Sequence, residues 1–261
     1  MRGVPDGDSA ATAFVETFRL LVPALSHGWE RKQPGVVAFV TGIPEATLNG
    51  ILVHEVDAAS GDVANLLDEV AASGLPYCLQ FRPNGTAHLE ELAAQRGMTA
   101  DDDIPLMVLD DARALDAALS ADALVIRELA ADDASLHAAT AAPGFEAPLE
   151  LFRELITPEV LRVPGVHCYL GEVGGQAVTT CVGVTFGVFV GIFNVATPPQ
   201  HRRHGYGGAV TARAIADGFA SGATWSWLQA SPSGLAVYER LGFRTVESWH
   251  CWTASPASAE A

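Results

Sequence analysis

The residues His201-Arg202-Arg203-His204 run directly into Gly205-Tyr206-Gly207-Gly208, in a chain with 31 acidic residues against 15 Lys and Arg and a formal net charge of −16. Ahead of them an apolar run, 188–196, leads out through Thr197-Pro198-Pro199. Behind them Val210, Ala214 and Phe219 recur at helical spacing. This is the pattern of a strand, a turn and a helix, with positive charge and glycine at the helix start. The first turn of a helix carries four N–H groups without internal partners, and the helix dipole adds partial positive charge there. Glycine at 205 and 207 takes away side chains that would hold a ligand off those groups. Arg202 and Arg203 add full charge beside them, so the arrangement suits a pyrophosphate. A triphosphate-binding loop would need GK[ST], and a dinucleotide fold would need a third glycine and another strand order; neither is present.

The elements that must position this turn can be read outward from it. The pattern predicts strands at 124–129, 167–173, 177–185, 188–196, 225–230 and 244–252. It predicts helices at 132–140, 149–155, 205–220 and 234–241. The first half reads as strands at 36–41, 50–56, 77–81 and 105–109 with helices at 63–72 and 87–96. Strand–helix–strand order after a run of hairpins implies an α/β (α+β) fold, a mixed and mostly antiparallel sheet flanked by helices. Gln176–Gln200 is uncharged and long enough to span a membrane, but Val, Thr and Phe enrichment and the Phe186-Gly187 turn predict two buried strands instead.

The chain also repeats itself. ASGLPYCLQF, followed by a helix and Gly97-Met98, answers ASGATWSWLQ, followed by a helix and Gly242-Phe243. The offset is 148 to 149 residues, Ala72 against Ala220 and Gln80 against Gln229. So large a period implies two related domains, expected at 1–118 and 119–261 with 110–122 connecting them.

The ordered set of motifs in the second half resembles the GNAT superfamily of N-acetyltransferases. Arg202-Arg-His-Gly205-Tyr-Gly207 is similar to its [QR]-x-x-G-x-[GA] pyrophosphate loop, and Val195-Ala196-Thr197-Pro198 to the end of its fourth strand. Leu228-Gln-Ala-Ser231 and Leu235-Ala-Val-Tyr238-Glu-Arg-Leu-Gly-Phe243 resemble its fifth strand, following helix and turn. The first half resembles a degenerate copy, because Asp57-Ala-Ala-Ser-Gly-Asp62 stands where the loop would be, and acids there would repel a phosphate.

The resemblance implies acetyl-CoA as co-substrate, with no metal, and direct transfer of its acetyl group to an amine of an unidentified acceptor. The pantetheine arm would run along strand 188–196, against backbone groups of Val195, Ala196 and Thr197. The diphosphate would rest on Arg202, Arg203, His204, Gly205, Tyr206, Gly207 and Gly208. Ser231 stands where the family often has Asn, as a polar contact to the arm. Tyr238 matches the residue that protonates the departing thiolate; a phenol with pKa about 10 stays protonated at neutral pH, above a thiol near ~8.5. Strand 188–196 lacks the carboxylate that some relatives use as base. Asn194 through a water, Glu146, Glu150 and His167 are the candidates. The acceptor would bind around 132–162, with Gly144-Phe145-Glu146-Ala-Pro148 as a lid. The alternative is a protein that binds acyl-CoA without turnover, as a sensor or scaffold.

Composition sets outer limits. Hydrophobic residues make up 49%, enough for a core, and charged residues only 18%. The acidic balance argues against nucleic acid and anionic membrane as partners. An amine acceptor, small molecule or peptide, is the expected partner, and pairing of two copies into a homodimer stays open. The four cysteines are widely spaced and form no CxxC pair, which points to buried thiols in a reducing cytoplasm. The N-terminus lacks the basic start and apolar core of a signal peptide. His201 and His204 lack the carboxylate or thiolate company of a metal site, and the tail from Ser255 onward is expected to fray.

Overall fold

The computed structural model describes residues 4–84, 86–119 and 123–255; most of the C-terminal tail lies outside them. The chain opens with α1 (Gly7–Leu21), β1 (Trp29–Gln33), β2 (Val36–Val40) and β3 (Asn49–Val53). It continues through α2 (Ser60–Ala71), β4 (Tyr77–Phe81), α3 (Ala87–Gln95), β5 (Thr99–Ala100) and β6 (Ile104–Leu109). After α4 (Leu115–Ala118) come β7 (Val125–Glu128), α5 (Ala134–Phe145), α6 (Leu149–Leu155) and α7 (Pro158–Leu161). The remainder is β8 (Val166–Val173), β9 (Gln176–Phe186), β10 (Phe189–Ala196), α8 (Tyr206–Ala220), β11 (Trp225–Gln229), α9 (Leu235–Arg240) and β12 (Arg244–Ala254). No helix of the described residues is long and apolar enough to cross a membrane. The uncharged stretch is the hairpin β9–β10, turning at Gly187 with φ +57°.

Two compact units result, and neither is continuous in sequence. One joins Phe18–Pro105 to the chain from Glu247 onward; the other joins the chain up to Thr17 to Leu106–Val246. A cut at 118/119 therefore does not describe them. The physical reason lies in two strands. In the first unit the sheet order is β1-β2-β3-β4-β12, with β3 and β4 parallel and β12 antiparallel to β4. In the second it is β6-β11-β10-β9-β8-β7, with β10 and β11 parallel and β6 antiparallel to β11. Each half of the sequence thus supplies the strand that follows the other half's parallel pair. The strand after α9, expected to complete the sheet of its own half, completes the other one.

The repeat seen in sequence is a repeat of topology: strand, helix, parallel strand, short helix, in both units. Helix α2 buries Val63, Leu66, Leu67 and Val70, an i, i+3, i+4, i+7 stripe. Helix α8 buries Val210, Ala214 and Ile215 against Val190 and Ile192 of β10 and Leu228 of β11. On the other face of that sheet Trp227 is fully buried, 5.4 Å from Phe14 and edge-on to Phe193 at 5.3 Å.

The two parallel pairs differ in one respect. In the first unit β3 and β4 pair from Gly50↔Cys78 to Val53↔Phe81, the last residue of each strand. In the second, β10 and β11 pair only from Phe189↔Trp225 to Gly191↔Trp227. Beyond that point they part, although β10 continues to Ala196 and β11 to Gln229. On its other side β10 shifts register against β9 between Phe193↔Val182 and Ala196↔Thr180, and Asn194 takes φ +48°. Asn194 and Val195 form a bulge there, which bends the strand and frees backbone groups from the ladder.

Gly191 stands at the apex where the strands part. A Cβ on it would lie 2.9 Å from the Phe193 ring and 3.0 Å from the Trp227 indole. Gly191→Ala is expected to overpack this buried site and lower unfolding free energy by about 1–3 kcal/mol, measured as a reduced urea midpoint at unchanged slope.

Candidate active site

The chain leaves β10 through Thr197, which is held in place from β9. The Thr179 hydroxyl donates to the Ala196 carbonyl at 2.9 Å and lies 3.0 Å from the Thr197 hydroxyl. After one 3-10 turn at Pro199–His201, Arg203 with φ +71° and Gly205 with φ +80° swing the chain into α8. Gly205 is the N-cap and has no side chain to cap the helix. Among the described residues no acceptor takes the amide hydrogens of residues 203–208; the first bond of the helix is from Ala209 N–H to the Gly205 carbonyl. That leaves a run of bare donors at the positive end of a 15-residue helix. Gly205 adopts a backbone that L side chains rarely enter. A Cβ on Gly207 would instead sit in ordinary contact, 3.4 Å from the Thr197 hydroxyl and 3.8 Å from Val195. A substituent there is tolerated by the fold but fills the space over the amides.

The two arginines do different things. Arg203 is exposed. Arg202 turns away from the bare amides: its Nε donates to the Thr197 carbonyl at 3.2 Å, and its Nη2 to the Gly144 carbonyl at 2.9 Å and to Glu146 at 3.1 Å. His204 packs its ring on Tyr206 at 5.3 Å and 14°. Among the described residues no group of three His, Cys, Asp or Glu is placed to hold a metal.

Tyr238 lies in the core formed by α8, α9, β10 and β11, edge-on to Phe243 at 5.9 Å. Burial raises its phenol above the ordinary value, with the nearby Cys181 thiol adding to the shift, so it is protonated at neutral pH. Cys181 is the β9 residue facing the bulge, since it lies between Thr180 and Val182 in the shifted register. Tyr238 and Cys181 belong to one apolar cluster, and Val195 of the bulge packs against it. Ser231 accepts from the Gly234 amide at 3.2 Å and lies 3.1 Å from the Ser233 hydroxyl, closing the turn before α9. All four cysteines are free and buried, and burial raises each thiol, Cys168 and Cys251 to about 12. None is an activated nucleophile.

The α5–α6 connection comes to the end of β10. A Cβ on Gly144 would lie 2.8 Å from that of Ala196 and 3.1 Å from the Thr197 nitrogen, so the helix end rests on the strand end. Next to it Phe145 stacks on Phe152 at 5.3 Å and 22°, and Glu146 takes φ +56°. Of the candidate bases, Glu146 is thus brought to the turn ahead of α8, where it meets Arg202. Glu150 is ion-paired with Arg153, and the His167 Nδ1 lies 2.7 Å from the Glu128 carboxylate across the antiparallel β7–β8 pair. Asn194 is partly exposed in the bulge.

One titratable group escaped the sequence reading. His137, on α5 and fully buried, has its Nδ1 2.8 Å from the Thr180 hydroxyl, whose own hydrogen goes to the Tyr169 carbonyl at 2.9 Å. The hydroxyl must therefore accept, Nδ1 carries the proton, and the Nε2 lone pair is buried with no partner among the described residues. Only its position within an alanine-rich helix hinted at this in sequence.

Burial pushes His137 down to about 4, below the ordinary 6.5. Between those values the unfolded chain takes up a proton that the native state refuses. Stability is therefore whole above pH 6.5 and falls as pH drops toward 4. Its contribution to the loss between pH 6.5 and 5 is expected to be about 2 kcal/mol. His137→Gln should flatten that slope in urea titrations across pH.

Comparison with known proteins agrees with this geometry. The sequence profile described as the acetyltransferase (GNAT) family matches residues 127–243. No curated protein matches in sequence. Among solved structures, a GCN5-related N-acetyltransferase from Kribbella flavida is 19% identical, with a TM-score of 0.69 over 96% of this chain and 97% of that one. A functionally unknown conserved protein from Staphylococcus epidermidis is 11% identical, with a TM-score of 0.64 over 88% and 95%. A tandem GNAT protein from the clavulanic acid biosynthesis pathway is 14% identical, with a TM-score of 0.57 over 97% and 89%. At these identities the structures speak for the fold, which is a tandem GNAT fold. The acetyltransferase (GNAT) family profile falls on residues 127–243, the stretch that holds the parted strands and the glycine turn.

Proposed function

We propose that the unit containing Leu106–Val246 transfers the acetyl group of acetyl-CoA directly to an amine. The observation that carries this reading is the parting of β10 from β11 beside a helix start whose amides are unpaired. The diphosphate rests on the N–H groups of residues 203–208, with Arg203 adding charge. The pantetheine arm runs along the freed part of β10, exchanging hydrogen bonds with Val195, Ala196 and Thr197, and Ser231 lies across from it on the β11 side. The bulge presents a backbone N–H at Val195 to the thioester carbonyl, where negative charge develops as the amine attacks. The new C–N bond forms, the intermediate collapses, the C–S bond breaks, and Tyr238 donates its proton to the leaving sulfur. The amine gives up its own proton to a water held by Asn194 or to Glu146.

The reading assigns cofactor to one unit only. In the other, the parallel ladder runs to the ends of β3 and β4, where Arg82 donates to the His54 carbonyl at 3.3 Å and pairs with Glu247 through Nε at 3.0 and 3.2 Å. The Trp249 indole donates to the same carboxylate at 3.0 Å. Ala59, with no side-chain cap, precedes α2, among Glu55, Asp57 and Asp62. That end is closed and acidic. A second reading, binding without turnover, is favoured by the lack of any carboxylate on β10. We keep a reducing cytoplasm as the setting, supported by the free thiols.

Calorimetry with acetyl-CoA is expected to give one site per chain. Gly207→Leu should abolish uptake, and Arg203→Ala should weaken it by about tenfold. Tyr238→Phe should leave the dissociation constant within about twofold while slowing release of free CoA with an amine panel by roughly 100-fold. Uptake without CoA release by any amine would favour the second reading, and no uptake would end both.

A further inference from the structure

Arg202 occupies the first position of the phosphate-loop motif, yet its guanidinium has been drawn to the other side of the site. Its Nε meets the Thr197 carbonyl where β10 ends. Its Nη2 meets both the Gly144 carbonyl and the Glu146 carboxylate. Gly144 is next to last in α5, so this carbonyl is one of the four that a helix end leaves unpaired, and a cation there also complements the helix dipole. Glu146 sits just past the helix in the left-handed region, and the Ala147 amide returns to the Ala142 carbonyl. The turn is thus a helix C-cap whose exposed acceptors converge on one side chain. Two nitrogens on the same edge of a planar group reach three acceptors; a lysine ammonium on a flexible stem does not reproduce that fork. Because Glu146 already compensates its charge, Arg202 is a poor partner for a phosphate.

We propose that Arg202 is a positioning residue for the acceptor side. It locks the α5–α6 turn, with Phe145 and Glu146, onto the end of β10, and leaves the diphosphate to Arg203 and the bare amides. The division of labour rests on the cofactor reading above; the lock itself does not. A residue of the cofactor loop thereby sets the geometry in which the acceptor is presented.

Amide hydrogen exchange and calorimetry with CoA test the two parts separately. In Arg202→Ala, exchange at residues 144–147 of the ligand-free protein is expected to rise at least about tenfold, with CoA affinity within about threefold of the parent. Arg202→Lys should not restore protection. Arg203→Ala should show the reverse pattern, weakened CoA and unchanged exchange. Glu146→Ala, an exposed change that spares the fold, should raise exchange at 144–147 by a smaller factor. Unchanged exchange in both Arg202→Ala and Glu146→Ala overturns the lock, and so does a loss of CoA affinity in Arg202→Ala equal to that in Arg203→Ala. If the parent takes up no CoA, the cofactor reading falls while the exchange result still decides on the lock.

Discussion

The site depends on two parallel strands that stop hydrogen bonding before they end. Backbone groups inside a sheet are normally consumed by the ladder, and a strand whose partners leave must find others. At Gly191↔Trp227 the β10–β11 ladder stops, and the bulge at Asn194 and Val195 withdraws further groups on the β9 side. The wedge is held from below by Trp227, whose indole crosses to β10 and fits only because residue 191 has no side chain. It is held from the side by α5, whose last turn rests on Ala196 and Thr197. That opening decides which backbone groups of this half are left without ladder partners.

The other unit is a natural control. It has the same order of strand, helix and parallel strand, and it buries a comparable apolar core of Ile51, Val53, Val63, Leu67, Leu79 and Phe81. Its ladder is complete, and at the end of it lies a largely buried Arg82–Glu247 pair with Trp249 as a third member. The fold alone therefore does not make the site. In this unit a continuous ladder and an acidic approach to the helix stand where the other has its opening, without any change of topology.

The exchange of β6 and β12 ties the two halves of the sequence together at the level of folding. Neither sheet is complete until the chain has delivered a strand from the other half. The pairs Ser226↔Leu109 and His250↔Phe81 close loops of more than a hundred residues, so each unit depends on long-range contacts for its last strand. That dependence explains why a boundary drawn at 118/119 fails: sequence similarity marks where a repeat begins, whereas compactness follows the hydrogen bonds.

Much of the local structure was legible because it rests on local physics. The alternation and length of apolar runs located β2, β4, β9 and β10 nearly to the residue, and the glycine pair with neighbouring arginines marked the start of α8. Strand β1, Trp-Glu-Arg-Lys-Gln, was missed because an exposed edge strand carries little apolar pattern and is defined only by its pairing with β2. Tertiary structure alone decided the rest. Arg202 donates to the Thr197 and Gly144 carbonyls because a strand end and a helix end with open carbonyls come within its reach, and His137 is buried because α5 settles over Thr180. Where β10 and β11 part, and which strand closes each sheet, are contests between distant partners for the same hydrogen bonds. Residue types and spacing specify which groups compete; only the folded chain brings the competitors together.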